Sequence, residues 1–124
     1  MPEPPPIEDD ESLLRHIPGG TLHQAPGPRI TSNNFKLRKD RNETGVSVTR
    51  QKITSAEKLL SLVGTTAESR VAAVRVADVR ALGLQVVPKP LEVDPGHSEI
   101  QSATASLEEH IVRKRLANLF QFLK

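Results

Sequence analysis

The stretch VAAVRVADVRALGLQVV, residues 71–87, decides the fold class of this chain. Residues 71–76 are apolar and β-branched enough for a strand, residues 77–82 favour a short helix that Gly83 ends, and residues 84–87 predict another strand. The two strands and the helix share 17 residues, whereas a parallel crossover needs about a dozen or more in the connection alone. We therefore expect a mixed or antiparallel sheet.

Upstream of this stretch, the sequence predicts one more strand and two short helices. GVSVTR at residues 45–50 alternates apolar and polar side chains, as a half-buried strand does. Residues 54–57 form the Ser/Thr-x-x-Glu pattern of a capping box and predict a helix that ends at Gly64. Apolar residues at helical spacing within residues 10–17 predict a short helix that Pro18 ends.

The last twenty residues predict the longest helix. Residues 106–109 form a second capping box, and neither glycine nor proline follows, so the helix is expected to cover residues 105–123. Leu107, Ile111 and Phe122 fall on a flank beside its core-facing side. The apolar surface of this helix is therefore wide enough either to meet a partner protein or to form a second wall of the same core.

The first ten residues, MPEPPPIEDD, differ in composition from the rest. Their prolines and acids, with Ile7 as the one branched aliphatic side chain, cannot bury enough surface to offset the entropy of ordering them. We expect residues 1–10 to be a flexible acidic proline-rich tail, in which Ile7 can serve as a docking contact. Residues 11–124 are expected to be a single α+β domain with three to four strands, two short helices and one long C-terminal helix.

Composition and motif content exclude several function classes. The 124 residues contain no cysteine, which excludes thiolate catalysis, disulfides, zinc ribbons and iron–sulfur clusters. Nucleotide-binding glycine motifs, a G-x-S-x-G elbow and an H-E-x-x-H helix are missing, so we expect no cofactor and no metal. Neither a membrane span of about 20 apolar residues nor a signal peptide occurs, and we expect a cytoplasmic protein without a membrane partner.

One histidine and one glutamate form the candidate catalytic pair. His97 and Glu99 follow the predicted strand at residues 84–87, and in extended chain they project from the same face. Such a pair can act as a general base and its orienting carboxylate. The competing interpretation is a histidine hydrogen-bonded to the turn beside a solvated glutamate, and we expect the chain not to be an enzyme.

Positive charge concentrates before and within the predicted strand at residues 45–50. Phosphate contacts require such side chains, and they make binding dependent on salt. Only 2% of the chain is aromatic, which argues against base stacking. The candidate nucleic-acid-binding residues are Lys36, Arg38, Lys39, Arg41, Arg50 and Lys52.

Five short motifs occur in a recognisable order: LLRHIP at residues 13–18, SNNF at 32–35, VSV at 46–48, LGL at 82–84 and PGH at 95–97. In this order the chain resembles a group of small bacterial proteins with a Leu-x-Arg-Ile start, a Ser-Ser-x-x-Phe segment, a Ser-Val strand and a late proline–histidine turn. An asparagine stands here in place of the second serine. The resemblance implies a bacterial source and one compact domain, and it supplies no activity.

These observations together predict a non-catalytic accessory or adaptor protein that binds another protein. The resemblance adds the expectation of a multicomponent bacterial system of the defence or toxin type. The predicted partner-binding residues are Leu107, Ile111, Phe122 and Ile7. The first alternative is a nucleic-acid-binding module that uses residues 36–41, the second is a small enzyme centred on His97 and Glu99, and the oligomeric state is left open.

Overall fold

The computed structural model describes residues 5–17, 30–37, 43–63 and 70–123. The strands in these ranges are β1 Ser12–Ile17, β2 Val46–Arg50, β3 Arg70–Arg75, β4 Leu84–Pro88, β5 His97–Ser102 and β6 Gln121–Phe122. The α-helices are α1 Ala56–Val63, α2 Val76–Ala81 and α3 His110–Leu119, and a 3-10 helix spans Ser32–Phe35. No helix in the described ranges has the length and apolarity that crossing a membrane requires.

All of these strands belong to one antiparallel sheet with the order β4-β5-β2-β1-β3-β6. The predicted α+β class is confirmed, and of the two expected kinds of sheet, mixed or antiparallel, the structure has the antiparallel one. The expected number of three to four strands is wrong, because the described part of the chain contributes six. Two of the additional strands, β1 and β6, come from segments that the sequence pattern assigned to helices.

The predicted helix within residues 10–17 is instead the strand β1, next to the middle of the sheet. It pairs with β3 along its whole length, from Ser12 opposite Arg75 to Ile17 opposite Arg70. Leu13 and Leu14 point to opposite faces and are both fully buried, because apolar layers cover the sheet on both sides here. A strand buried on both faces shows consecutive apolar residues, and that pattern resembles helical spacing in a short segment.

The prediction of a long C-terminal helix over residues 105–123 is also wrong, because α3 has only ten residues, His110–Leu119. The Ser106 hydroxyl accepts a hydrogen bond from the N–H of Glu108, inside the turn that precedes the helix, and no side chain caps α3. At the other end Phe120 is extended, with ψ at 141°. Phe120 is buried against Phe35, with ring centroids 4.9 Å apart, and the next residues pair with β3 as β6.

The stretch at residues 71–87 forms β3, α2 and β4, as predicted. Its two strands are separated by three others in the sheet, so α2 carries the chain across the sheet. Val76 and Val79 of α2 are fully buried in the main core. Gly83 then turns the chain with φ at 90°, a left-handed conformation that favours glycine.

Helix α1 confirms the predicted short helix, but it begins one residue later than its capping pattern indicates. The Ser55 hydroxyl accepts a hydrogen bond of 3.2 Å from the N–H of Lys58, as an N-cap side chain does. Leu59 of α1 covers Leu14 and Val71 in a second, smaller core on the opposite face of the sheet. The predicted end at Gly64 lies outside the described residues.

Part of the predicted tail lies against the domain. Ile7 is only 8% exposed and packs in the main core, although its neighbours from Pro5 to Asp10 are exposed. Residues 1–4 lie outside the described ranges. The composition of the segment did not indicate this docking, because the groups that hold residues 5–10 come from distant parts of the chain.

Candidate protein-binding site

The buried polar side chains of the described residues gather around the end of β2. We call this group the polar hub, and it joins residues 5–12, the end of β2 and the loop between β4 and β5. The hub consists of Glu11, Thr49, Arg50, Thr54, Asp94 and Ser98, each at most 5% exposed.

Arg50 is the largest side chain in the hub and is 1% exposed. Its Nε and Nη2 atoms each donate to one carboxylate oxygen of Glu11, at 2.7 Å. Nη1 donates to the carbonyl of Pro5 at 2.7 Å, and Nη2 donates to that of Pro6 at 3.1 Å. A bidentate pair with further hydrogen bonds is the arrangement in which a buried guanidinium is tolerated.

The partner carboxylate is held ionised by the same contacts. Hydrogen bonds from Arg50 lower the pKa of Glu11, and they outweigh burial, which acts in the opposite direction. The N–H of Glu8, 2.7 Å from the Glu11 carboxylate, and the positive charges of Arg50 and Lys52 lower the pKa further.

This lowered pKa predicts that Glu11 contributes to acid sensitivity. Because the carboxylate is more acidic in the folded state, its contribution to stability is complete above pH 4.5, its ordinary pKa, and is lost as pH falls from there through the folded-state pKa. Urea unfolding of the Glu11→Gln chain between pH 7 and pH 3 should therefore show a smaller loss of stability than the native chain. The matched control is Glu57→Gln, at an exposed position on α1. An unchanged pH dependence in Glu11→Gln would contradict the prediction.

Asp94 is the second buried carboxylate of the hub and is 5% exposed. Its Oδ2 atom accepts a hydrogen bond of 2.8 Å from the Thr49 hydroxyl, and Oδ1 accepts one of 2.8 Å from the Thr54 hydroxyl. Oδ1 also accepts from the N–H of Gly96 at 3.2 Å. The carboxylate therefore ties the loop before β5 to the end of β2 and to the residues that precede α1.

The loop between β4 and β5 is closed by its own backbone as well. Leu91 and Asp94 exchange two backbone hydrogen bonds, of 3.0 and 3.1 Å, and the N–H of His97 donates to the Asp94 carbonyl at 3.0 Å. Leu91 is nevertheless 47% exposed and Val93 is 66% exposed, with the exposed Glu92 between them. We call residues 91–93 the apolar loop.

The apolar loop presents two aliphatic side chains on a backbone that is already ordered. Ordering a flexible loop on binding costs free energy, and a loop fixed in advance avoids much of that cost. The sequence analysis did not single out Leu91 or Val93. The available signal was their position in a short loop between Pro90 and Pro95, where apolar side chains have little strand or helix to bury them.

The structure separates the four predicted partner-binding residues by burial. Leu107 is fully buried and Ile7 nearly so, both in the main core. Phe122 is half-buried, with the Arg70 guanidinium 4.4 Å from its ring centroid. Ile111, which is 50% exposed, is therefore the member of the set that offers an apolar surface.

The candidate catalytic pair lies on β5, but its side chains have other partners. His97 Nδ1 lies 2.9 Å from the Lys89 carbonyl, in the turn-bound arrangement that was the competing interpretation. Glu99 accepts hydrogen bonds from Thr44 at 2.8 Å and Gln101 at 3.0 Å, and it lies 3.4 Å from the Lys89 ammonium. Burial raises the pKa of Glu99, but hydrogen bonds from Gln101 and Thr44, together with Lys89, leave the pKa below its usual value. An ionised carboxylate suits an orienting role, but the hydrogen bonds that Glu99 accepts come from Thr44 and Gln101, whereas His97 is bonded to Lys89.

Phosphate contact finds less support than the sequence suggested. In the part of the chain that the structure describes, no three histidines, cysteines or carboxylates come together to hold a metal. Of the candidate nucleic-acid-binding residues, Lys36 and Lys52 are exposed, but Arg50 is buried and paired with Glu11, so it cannot reach a phosphate. The other three, Arg38, Lys39 and Arg41, lie outside the described residues.

Comparison with known proteins assigns no family to this fold. The chain has no significant match among protein-family models, curated proteins or solved structures. The resemblance to the bacterial group and the multicomponent system that it suggests therefore stay predictions.

Proposed function

We propose that this chain is a non-catalytic accessory protein that binds another protein through the apolar loop. The observation that carries the proposal is the exposure of Leu91 and Val93 on a loop whose backbone the buried Asp94 carboxylate holds in place. Scattered exposed aliphatic residues are ordinary on protein surfaces. Two of them on one turn whose backbone is already fixed can enter an apolar recess of a partner without a further cost of ordering the loop.

The charges around the loop suggest the chemistry of that partner. Glu92 is exposed between the two aliphatic side chains, whereas the nearby Lys89 is within 3.4 Å of the Glu99 carboxylate. The loop therefore presents apolar groups together with a negative charge. A complementary partner surface has an apolar recess with a lysine or arginine at its rim.

Site-specific photo-crosslinking in host-cell lysate tests this proposal. A photo-reactive amino acid in place of Pro95, which is exposed in the same loop, leaves Glu92 intact and should give one dominant protein adduct. The adduct should be lost when Leu91→Ser and Val93→Ser are combined, because the anchor is then polar. The matched control is Ile111→Ser, which removes an equally exposed aliphatic side chain from α3 and should preserve the adduct.

Two results would overturn the proposal. One is an adduct that survives the double substitution in the loop. The other is an adduct that is lost on Ile111→Ser without any change in the loop. That result would place the interface on α3, which is the surface that the sequence analysis predicted.

A further inference from the structure

Residues 5–9 lie against a surface formed by Arg50, Arg80 and the start of α2, and we call this contact surface the groove. Two carbonyls of this segment accept hydrogen bonds from the buried Arg50, and the Arg80 Nη2 atom donates to the carbonyl of the next residue, Ile7, at 2.9 Å. Arg80 also forms an ion pair with the Asp9 carboxylate. The N–H of Ala77, in the first turn of α2, donates to the Asp9 carbonyl at 3.0 Å.

Most of these contacts share one direction, because the domain supplies guanidinium and amide donors and residues 5–9 supply carbonyl and carboxylate acceptors. The exception is the N–H of Glu8, which donates to the Glu11 carboxylate at 2.7 Å. Proline suits such a groove, because it offers a carbonyl without a backbone N–H that would then need an acceptor. The groove thus favours a peptide with two prolines, an aliphatic residue directly after them, and an acid two positions further on.

The side chain of Ile7 supplies the anchor. It is 8% exposed and packs in the main core, while Pro5, Pro6 and Asp9 on either side are exposed. One buried aliphatic residue flanked by backbone-directed hydrogen bonds is a common mode of recognising an extended peptide. The complementary ligand has the pattern Pro-Pro-aliphatic-x-Asp, which is the sequence of residues 5–9.

We propose that this groove is a binding site for acidic, proline-containing peptides of a partner protein, and that residues 5–9 occupy it within the chain. The groove and the apolar loop have no residues in common, so either proposal can fail without the other. Departure of residues 5–9 leaves the bidentate Arg50–Glu11 pair in place, which keeps the buried guanidinium paired. Arg80 lies at the surface, with 39% of its side chain exposed.

Fluorescence anisotropy with a labelled peptide of residues 5–9 tests the proposal on the full chain. In the native chain the attached segment competes at an effective concentration on the order of millimolar, which masks the site. Ile7→Asp weakens the binding of the attached segment to the groove. The labelled peptide should therefore bind the Ile7→Asp chain at least about tenfold more tightly than it binds the native chain.

Two matched controls define the contacts. A peptide that carries aspartate in place of its isoleucine should bind the Ile7→Asp chain at least about tenfold more weakly, because an acid cannot fill the apolar pocket. Adding Arg80→Ala to the Ile7→Asp chain should weaken binding of the native-sequence peptide by about tenfold. The carbonyl of its isoleucine and the carboxylate of its aspartate both lose a charged donor. Equal affinity in all these combinations would overturn the proposal.

Hydrogen exchange on the native chain provides a measurement that does not depend on a variant. The Ala77 amide bonds to Asp9, so release of the segment should expose it while β1 stays paired. We expect it to exchange at least about tenfold faster than the Leu14 amide. Equal rates would show that residues 5–9 leave the groove only on global unfolding, which would overturn the proposal. A dimer whose population rises with protein concentration would assign the groove to a second copy of the chain, and that result would overturn the proposal as well.

Discussion

Replacing Arg50 with alanine should lower the free energy of unfolding by about 3–5 kcal/mol, because it leaves a buried Glu11 carboxylate without its counter-ion. The Glu11 side chain is 2% exposed, so water cannot replace both 2.7 Å hydrogen bonds from the guanidinium. The carbonyls of Pro5 and Pro6 lose their donors at the same time. Urea unfolding followed by circular dichroism measures the loss.

Two variants show whether the loss comes from the buried charge. Arg75→Ala removes an exposed arginine from a strand and should change stability by no more than about 0.5 kcal/mol. Arg50→Met combined with Glu11→Leu removes both charges and should be more stable than Arg50→Ala, because no unpaired ion stays in the core. The prediction is contradicted if Arg50→Ala is as stable as Arg75→Ala.

Replacing Asp94 with alanine should lower the free energy of unfolding by about 3 kcal/mol, because buried donors lose their charged acceptor. The Thr49 and Thr54 hydroxyls and the Gly96 N–H all donate to this carboxylate. The same change should loosen the apolar loop, which depends on Asp94 for its attachment to the end of β2. Urea unfolding measures the first effect, and hydrogen exchange at the His97 amide, bonded to the Asp94 carbonyl, measures the second.

Glu92→Ala is the matched control, since it removes an exposed acid two residues away in the same loop. Its stability should lie within about 0.5 kcal/mol of the native value. The free energy of unfolding of Asp94→Asn should lie between those of Asp94→Ala and Glu92→Ala, because the amide retains one acceptor oxygen but no charge. A His97 amide that exchanges equally slowly in Asp94→Ala and Glu92→Ala would show that the carboxylate does not hold the loop.

The elements predicted correctly are those with a local signal. Residues 71–87 contain β-branched runs, a short helical segment and a glycine that the structure uses with φ at 90°, so neighbouring residues alone indicate β3, α2 and β4. Their close spacing predicted a mixed or antiparallel sheet, and the sheet is antiparallel, but these two strands do not pair with each other and are separated by three others.

The wrong predictions came from segments whose conformation depends on distant partners. Residues 12–17 satisfy a helical pattern, but pairing with β3 and burial on both faces make them a strand. The last residues favour a continued helix locally. Burial of Phe120 and pairing of Phe122 with Ala72 outweigh that preference.

The candidate sites were harder to predict than the fold because charge pattern does not reveal burial. Arg50 belongs to a basic sequence region and was predicted to contact phosphate, yet it is the largest fully buried side chain among the residues that the structure describes. Ile7 belongs to an acidic tail and yet packs in the core. The exposure of Leu91 and Val93 follows from the loop that Asp94 holds, and Asp94 carries no local signal of that role.

By itself, the sequence determined the α+β class and the strand–helix–strand unit, because each follows from the order of apolar and polar residues over a few positions, and it left the sheet as mixed or antiparallel. Only the tertiary structure decided the sheet order, the strand β1, the docking of residues 5–9 and the polar hub. The reason is separation along the chain: Glu11 and Arg50 are 39 residues apart, and Thr49 and Asp94 are 45 apart. Folding brings these partners together and buries charged side chains that the sequence pattern would place in solvent. In the folded chain Asp94 fixes the apolar loop, and Arg50 binds the carbonyls of residues 5 and 6.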